Sequence, residues 1–193
     1  MKRLFDLTAA LIGLLALSML LMVLWIVVRI KHGSPVLFCQ QRPGLHGRPF
    51  TMHKFRTMTG ELDVEENLLP DAQRLTGFGK FLRSTSLDEL PTLYNVLKGD
   101  MSLVGPRPDV PGYADKLKGS DRRILELRPG ITGPATLKYA NEEQLLVSID
   151  DPEKYNDEVI YSDKVKMNLD YLDNRNSWLD IKIIFKTIFR SNY

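Results

Sequence analysis

Cysteine is almost absent from this chain: Cys39 stands alone among 193 residues, which excludes an internal disulfide. Histidine is scarce too, and His32, His46 and His53 lack the spacing of a zinc site. Charge of one sign does not dominate. A net charge of +2, with no basic run interleaved with aromatics, argues against a nucleic-acid partner. Internal repeats and low-complexity tracts are also missing. A lone thiol outside any disulfide framework points to a reducing cytoplasm for the soluble part. The length suits one domain with a real core plus whatever anchors it.

The most telling absence is local. From Leu7 to Val28 the chain reads "LTAALIGLLALSMLLMVLWIVV", with no charged residue and only Thr8, Gly13 and Ser18 as small or polar interruptions. About 22 residues make roughly 33 Å of helix, just enough for a hydrocarbon core of about 30 Å. A cleaved leader is disfavoured, because no small-x-small site follows and the run exceeds the usual apolar region of a signal peptide. Lys2 and Arg3 precede the run and Arg29 and Lys31 follow it. Both flanks therefore carry the basic signal of a cytoplasmic end. That pattern suits either a plain span or a helix that enters one leaflet, breaks and returns.

Beyond this segment, Val36 to Gln40 and Pro49 to Arg56 read as two extended runs around a turn rich in Gly and Pro, a hairpin. Thr59 to Leu75 is a charged surface excursion, with the acids of "GELDVEEN" on a solvated face. Apolar spacing returns at Leu75, Phe78, Phe81 and Leu82, interleaved with Lys80 and Arg83, as in a helix that faces the core or a bilayer surface. A further helical pattern starts near Asn141. The closing "SWLDIKIIFKTIFRSNY" sets Trp178, Ile181, Ile184, Phe185, Ile188 and Phe189 on one face of a helix, with Lys182, Lys186 and Arg190 at i, i+4, i+8 on another. This basic amphipathic helix, about residues 177–191, is read as interfacial.

The chemistry concentrates in "RSTSLDELPTLYNVLKGDMSLVGPRP", where Asp88 and Glu89 stand side by side. Ser86 with Glu89 matches an S-x-x-E capping box. Pro91 would then fall inside the helix, so a start nearer Asp88 is the alternative. Either way the pair sits at a helix N-terminus, where backbone N–H groups favour anions such as phosphate. Neighbouring carboxylates also suit Mg²⁺, which takes a few of them and otherwise keeps water and phosphate oxygens. Arg83 just before the pair and Arg107 in the proline-flanked "GPRP" loop bring positive charge. From the residues alone, a phosphate-handling site and a plain helix cap both stand.

This block, together with "KRLFD", "QQRPG", "KFRTM", "RPGITG" and "LDIKIIFKT" in that order, resembles the bacterial sugar transferases, the monotopic phosphoglycosyl transferases. The resemblance runs through nearly the whole chain. It implies transfer of a phosphosugar from a UDP-sugar to undecaprenyl phosphate with release of UMP, the first membrane step of a bacterial glycan pathway such as capsule, O-antigen, exopolysaccharide or glycoprotein synthesis. It implies covalent catalysis, with Asp88 as nucleophile and ligand of a Mg²⁺ cofactor and Glu89 assisting. Arg83 and Arg107 are the leading candidates to clamp the phosphates, followed by Lys54, Arg56, Arg128 and, for positive charge near the sugar, Lys138.

The chain departs from the family at two places. Ser18-Met19 stands where the family's anchor has Ser-Pro, so the usual local reason for a helix break is missing and re-entrance rests on the two basic flanks. After "RPGITG" this chain reads "PATLKYANEEQLL" in place of the family's Trp-Ala-Gln. The expected architecture is a small helix-rich α/β domain over residues 32–193, with residues 1–31 as a re-entrant membrane helix and amphipathic helices at the interface. The resemblance puts the protein at the bacterial inner membrane with its catalytic domain on the cytoplasmic face, beside membrane lipid and downstream glycosyltransferases. Two other readings compete: a nucleotide-sugar hydrolase using the same carboxylates, and a non-enzymatic membrane scaffold.

Overall fold

In the computed structural model, which describes residues 2–60 and 71–189, the apolar N-terminal run forms two helices. These are α1 (Lys2–Ala16) and α2 (Ser18–His32), bent by 64° at the break between them. No single described helix is long and apolar enough to cross a membrane; the bent pair together meets that test by length and composition alone. The bend forms without the family's proline. Leu17 leaves helical geometry at φ −94°, ψ 5°, and the Ser18 hydroxyl donates to the Leu15 carbonyl at 2.8 Å. A serine that bonds back to the preceding turn bends a helix by taking a carbonyl from the ladder. Leu11, Ile12, Leu15, Met19, Met22, Trp25 and Ile26 remain exposed along the pair.

The hairpin follows as β1 (Leu37–Pro43) and β2 (Pro49–Phe55), paired as a two-stranded sheet. Met58 and Leu75 then bridge antiparallel across the base of the excursion. The acids at Glu61, Asp63, Glu65 and Glu66 lie outside the described residues. Next come α3 (Asp71–Arg74), α4 (Gly77–Thr85) and α5 (Thr92–Lys98). Thr76 caps α4, its hydroxyl accepting from the Gly79 N–H at 2.9 Å. The second sheet is a parallel pair, β3 (Ser102–Val104) with β4 (Gly130–Thr132), in the register Ser102 to Gly130 and Val104 to Thr132. The remaining helices are α6 (Pro134–Lys138), α7 (Glu142–Val147), α8 (Pro152–Tyr155), α9 (Ser162–Asn174) and α10 (Ser177–Ile188), with a π-helical stretch, Asn156–Tyr161, joining α8 to α9. The architecture is helix-rich with small sheets, as the sequence indicates.

Chain contacts divide the molecule into two units interleaved in sequence. One comprises Leu4–Gln40 and Thr51–Lys98, and its core joins Leu24, Val28, Val36, Phe55 and Leu82. The other comprises Met1–Arg3, Gln41–Phe50 and Gly99–Tyr193, with Val104, Leu127, Leu137, Tyr171, Leu172 and Ile183 at its centre. In that second unit α10 is apolar on two sides. Ile183 is fully buried, with Leu179 and Ile184 packed beside it, whereas Trp178, Phe185, Ile188 and Phe189 face outward. The sequence stripe omitted Ile183, the residue that seats the helix; Arg190 lies outside the described residues. Asp180, almost fully buried on α10, accepts from Lys2 Nζ at 2.6 Å and from the Tyr171 hydroxyl. A buried carboxylate needs such partners.

Candidate active site

Asp88 and Glu89 lie in a tight 3-10 turn, Leu87–Glu89, between α4 and α5. The capping box expected from the sequence does not form. Ser86 adopts the left-handed conformation (φ 58°, ψ 19°), its N–H closes α4 on the carbonyls of Leu82 and Arg83, and its hydroxyl caps nothing. The serine therefore ends one helix instead of starting the next. Pro91 falls just ahead of α5, where its missing N–H leaves no carbonyl unpaired. The Thr92 hydroxyl donates to the Glu89 carbonyl at 2.6 Å and ties the turn to α5.

Asp88 is only 8 % exposed. Its carboxyl is pushed above the ordinary aspartate range, first by burial and then by the charge of Glu89, with Lys54 and Arg83 pulling it back. Lys54, from β2, donates to Glu89 Oε1 at 2.7 Å. Arg83, on the last turn of α4, donates from Nε to the Thr57 hydroxyl at 3.1 Å. Thr57 is itself buried, and its carbonyl lies against Gly79, where an added Cβ would come within 1.9 Å of the oxygen. Only glycine allows α4 to approach this closely. Behind β2, the fully buried Asn95 of α5 acts as a substitute strand: its Nδ2 donates to the Thr51 carbonyl at 2.7 Å and its Oδ1 accepts from the His53 N–H at 3.1 Å. Lys54, the next residue along, is held in register by this contact. Arg56 points elsewhere, donating to the carbonyls of Met58 (3.3 Å), Ser34 (3.0 Å) and Pro35 (3.3 Å).

The same unit thus gathers Asp88, Glu89, Lys54 and Arg83. Arg56 belongs to this unit as well, while Arg107, Arg128 and Lys138 belong to the second. Arg107 is exposed on the loop after β3. That loop is braced by backbone bonds, Gly105 N–H to the Thr132 carbonyl at 2.9 Å and Gly130 N–H to the Pro106 carbonyl at 2.7 Å. Arg128 donates from Nε to the Gly99 carbonyl at 2.9 Å. Lys138 pairs with Asp163 at 2.7 Å, a carboxylate that also accepts from the Tyr139 hydroxyl and is held below its ordinary range by these two bonds. Lys164 pairs with Glu142 at 2.6 Å.

Three residues went unnoticed in the sequence. Arg42, on β1, donates from Nη1 to the Pro108 carbonyl at 3.3 Å, beside Arg107. Asp109 has its carboxyl pushed up to about 6 by burial, although Lys164, Arg42 and Arg107 oppose the shift. Thr57 orients Arg83. The "QQRPG" and "GPRPD" strings already contained Arg42 and Asp109; nothing in their local spacing connects them, because the contact joins positions far apart in the chain.

The chain matches the bacterial sugar transferase family over residues 1–192. It belongs to that family. Among its relatives, an uncharacterized sugar transferase, EpsL, from Bacillus subtilis is 46% identical over 97% of this chain and 85% of its own length. An undecaprenyl-phosphate glucose phosphotransferase from Komagataeibacter xylinus is 39% identical over 98% of this chain and 35% of its own length. A UDP-glucose:undecaprenyl-phosphate glucose-1-phosphate transferase from Klebsiella pneumoniae is 36% identical over 98% of this chain and 39% of its own length. The chain therefore spans most of EpsL and under half of the other two relatives.

The donor set at the acid pair fits the Mg²⁺ that this sugar transferase family implies. Among the described residues no three His, Cys, Asp or Glu side chains converge as a closed metal site. One or two carboxylates with room for water and phosphate oxygens is what Mg²⁺ accepts. A cation at Asp88 would also offset the burial and like charge that raise its carboxyl.

Proposed function

We propose that this sugar transferase moves a phosphosugar from a UDP-sugar to undecaprenyl phosphate through a covalent intermediate on Asp88. The observation that carries this reading is the placement of Asp88: buried, beside an ion-paired Glu89, with Arg83 and Lys54 acting on its charge. In the first step an Asp88 carboxylate oxygen bonds to the β-phosphorus, the bond from that phosphorus to the bridging oxygen breaks, and UMP leaves with the electron pair. In the second, an oxygen of the lipid phosphate attacks the same phosphorus and expels the Asp88 carboxylate, giving a polyprenyl diphosphate sugar. Splitting one transfer into two displacements lets a single site serve a soluble donor and a lipid acceptor in turn. When bound, Mg²⁺ held by Asp88 would neutralise charge on the transferring phosphoryl group. Arg83 contributes to the same end, oriented by Thr57. Lys54, paired with Glu89, offsets part of the upward push that the second carboxylate gives the first.

Membrane attachment follows the bent pair. The Lys2 bond to Asp180 returns the start of α1 to a residue that follows the last candidate membrane segment among the described residues. Both ends of the pair then lie on one face, the cytoplasmic one by the basic flanks, and the pair is re-entrant. The outward aromatic side of α10, with Lys182 and Lys186, rests at the headgroup level. This arrangement brings the enzyme to the lipid phosphate and avoids extracting a long apolar chain, at about 0.8 kcal/mol per CH₂.

The test is UMP release from a panel of UDP-sugars with Mg²⁺, with and without undecaprenyl phosphate, for the parent and Asp88→Asn. Acceptor-dependent release from one donor, lost in the variant, is expected. Release that ignores the acceptor would make the protein a hydrolase and overturn the proposal.

A further inference from the structure

We propose that Asn95 and Thr92, the buried polar face of α5, are positioning residues for the reaction: they hold β2 and the Leu87–Glu89 turn in one register, so that Lys54 stays against Glu89 at the site of transfer. This deepens the proposed function and rests on it for the reaction that is positioned. The two residues stand three apart on α5, one turn of helix, and so share a face. Both are buried, Asn95 completely. Polar side chains this deep are costly unless they are bonded, and here each bonds to a segment that carries a residue of the site.

Asn95 meets β2 as a neighbouring strand would. Residues two apart on a strand turn their N–H and C=O groups to the same edge. The Asn95 amide spans one such pair, donating from Nδ2 to the Thr51 carbonyl at 2.7 Å and accepting at Oδ1 from the His53 N–H at 3.1 Å. A planar amide supplies a donor and an acceptor side by side, as a peptide group does. The other edge of β2 faces β1, and beyond the strand end the Arg56 N–H donates to the Val36 carbonyl at 3.0 Å on that side. The His53 ring lies edge-on to Tyr94, the residue before Asn95, with ring centres 5.8 Å apart, a second contact between the same two segments. A slip of β2 by one residue would break both amide bonds and turn the Lys54 side chain to the opposite face.

Thr92 closes the circuit from the other side. Its hydroxyl donates to the Glu89 carbonyl at 2.6 Å, and Glu89 Oε1 accepts from Lys54 Nζ at 2.7 Å. The path therefore runs from Glu89 through Thr92, one turn of α5, Asn95, His53 and Lys54 back to Glu89. Lysine carries its charge on a flexible four-carbon stem, so the backbone must set where that charge can reach. Displacements of about 1 Å at supporting positions lower rates by up to about 100-fold. A Lys54 withdrawn from Glu89 would also remove positive charge from the place where a negatively charged phosphoryl group must approach.

UMP release is measured for the full chain in detergent with Mg²⁺, undecaprenyl phosphate and the UDP-sugars of the panel, below the melting temperature of every variant. The variants are Asn95→Ala, Thr92→Val and each of these combined with Lys54→Met. Asn95→Ala should lower kcat about 10–100-fold and leave the donor KM within about threefold of the parent. Thr92→Val, which loses one hydroxyl at nearly unchanged size, should show the same split with a loss of about threefold to tenfold. In the Lys54→Met background either substitution should change kcat by less than about twofold, because the group it positions is gone. Losses confined to the melting temperature, or kcat losses that multiply with that of Lys54→Met, would show a merely structural role and overturn the proposal. Should Asn95→Ala not fold, Thr92→Val is read by the same outcomes. A parent that releases no UMP from any donor would overturn the proposed reaction and the positioning role together. A parent that turns over normally, with both variants matching it, would overturn the positioning role alone.

Discussion

Lys54 and Glu89 are joined side chain to side chain, Nζ to Oε1 at 2.7 Å, with less than a fifth of either side chain exposed. The pair links β2 to the turn that carries Asp88. Removing one partner of a pair buried this far leaves a charge without compensation, which costs about 3–5 kcal/mol when burial is complete. Lys54→Met should therefore destabilise the protein by about 2–3 kcal/mol and cut UMP release by at least tenfold, because Glu89 then bears directly on Asp88. Adding Glu89→Gln to Lys54→Met should restore most of the stability without restoring turnover. Chemical denaturation and UMP release on the single and double variants check this; additive stability losses would mean the two residues are not coupled.

How much of this site the sequence announced depended on whether a feature was local. The hairpin, the acid pair, the terminal helix and the family blocks are carried by short strings, and all were legible. The conformation of Ser86 was not: S-x-x-E reads as a cap, and only the preceding α4, which needs a stop, turns the serine left-handed. The bend at Leu17 was hidden for a related reason. A proline advertises a break, whereas a serine hydroxyl that bonds to Leu15 produces one without a distinctive string. The pairing of Arg42 with Pro108, and of Asn95 with Thr51 and His53, are tertiary contacts that no periodicity encodes.

Gly79 is the position where the fold least tolerates a side chain. An added Cβ would meet the Thr57 carbonyl oxygen at 1.9 Å, backbone against backbone, so α4 must lift. Gly79→Ala should then destabilise by more than about 3 kcal/mol, as large steric insertions at closely packed sites do, and should detach Arg83 from Thr57. Gly77, two residues earlier, has nothing within 4 Å of its virtual Cβ. Gly77→Ala should be neutral or stabilise by up to about 1 kcal/mol. Thermal melts of the two variants side by side decide the matter, and equal behaviour would contradict the packing argument.

The Lys2 contact with Asp180 gives a topological prediction. A cysteine placed ahead of Met1 in a Cys39→Ser background should resist a membrane-impermeant maleimide in sealed cells and react after permeabilisation. Labelling from outside would show that the N-terminus crosses the bilayer. Separately, Asp180→Ala should lower stability by about 2–3 kcal/mol, since it removes the buried carboxylate that accepts from both Lys2 and the Tyr171 hydroxyl and leaves them only the longer bonds to each other and to the Val104 carbonyl.

Asp109 supplies the pH dependence. Its carboxyl ionises near 6 in the folded protein, above its ordinary value of 3.8. The folded state therefore holds this proton more tightly than the unfolded chain. A raised folded value contributes stability that is fully present below the unfolded value and is lost as pH rises through about 6. A shift of about two units corresponds to roughly 2–3 kcal/mol. Asp109→Asn, which cannot ionise, should be more stable than the parent by up to about that amount at pH 7.5 and equal to it at pH 4. Denaturation midpoints across that range read the difference. A variant less stable than the parent at pH 7.5 would mean that the attraction of Asp109 to Lys164, Arg42 and Arg107 outweighs the cost of burying its charge, and that the carboxylate is a structural anchor.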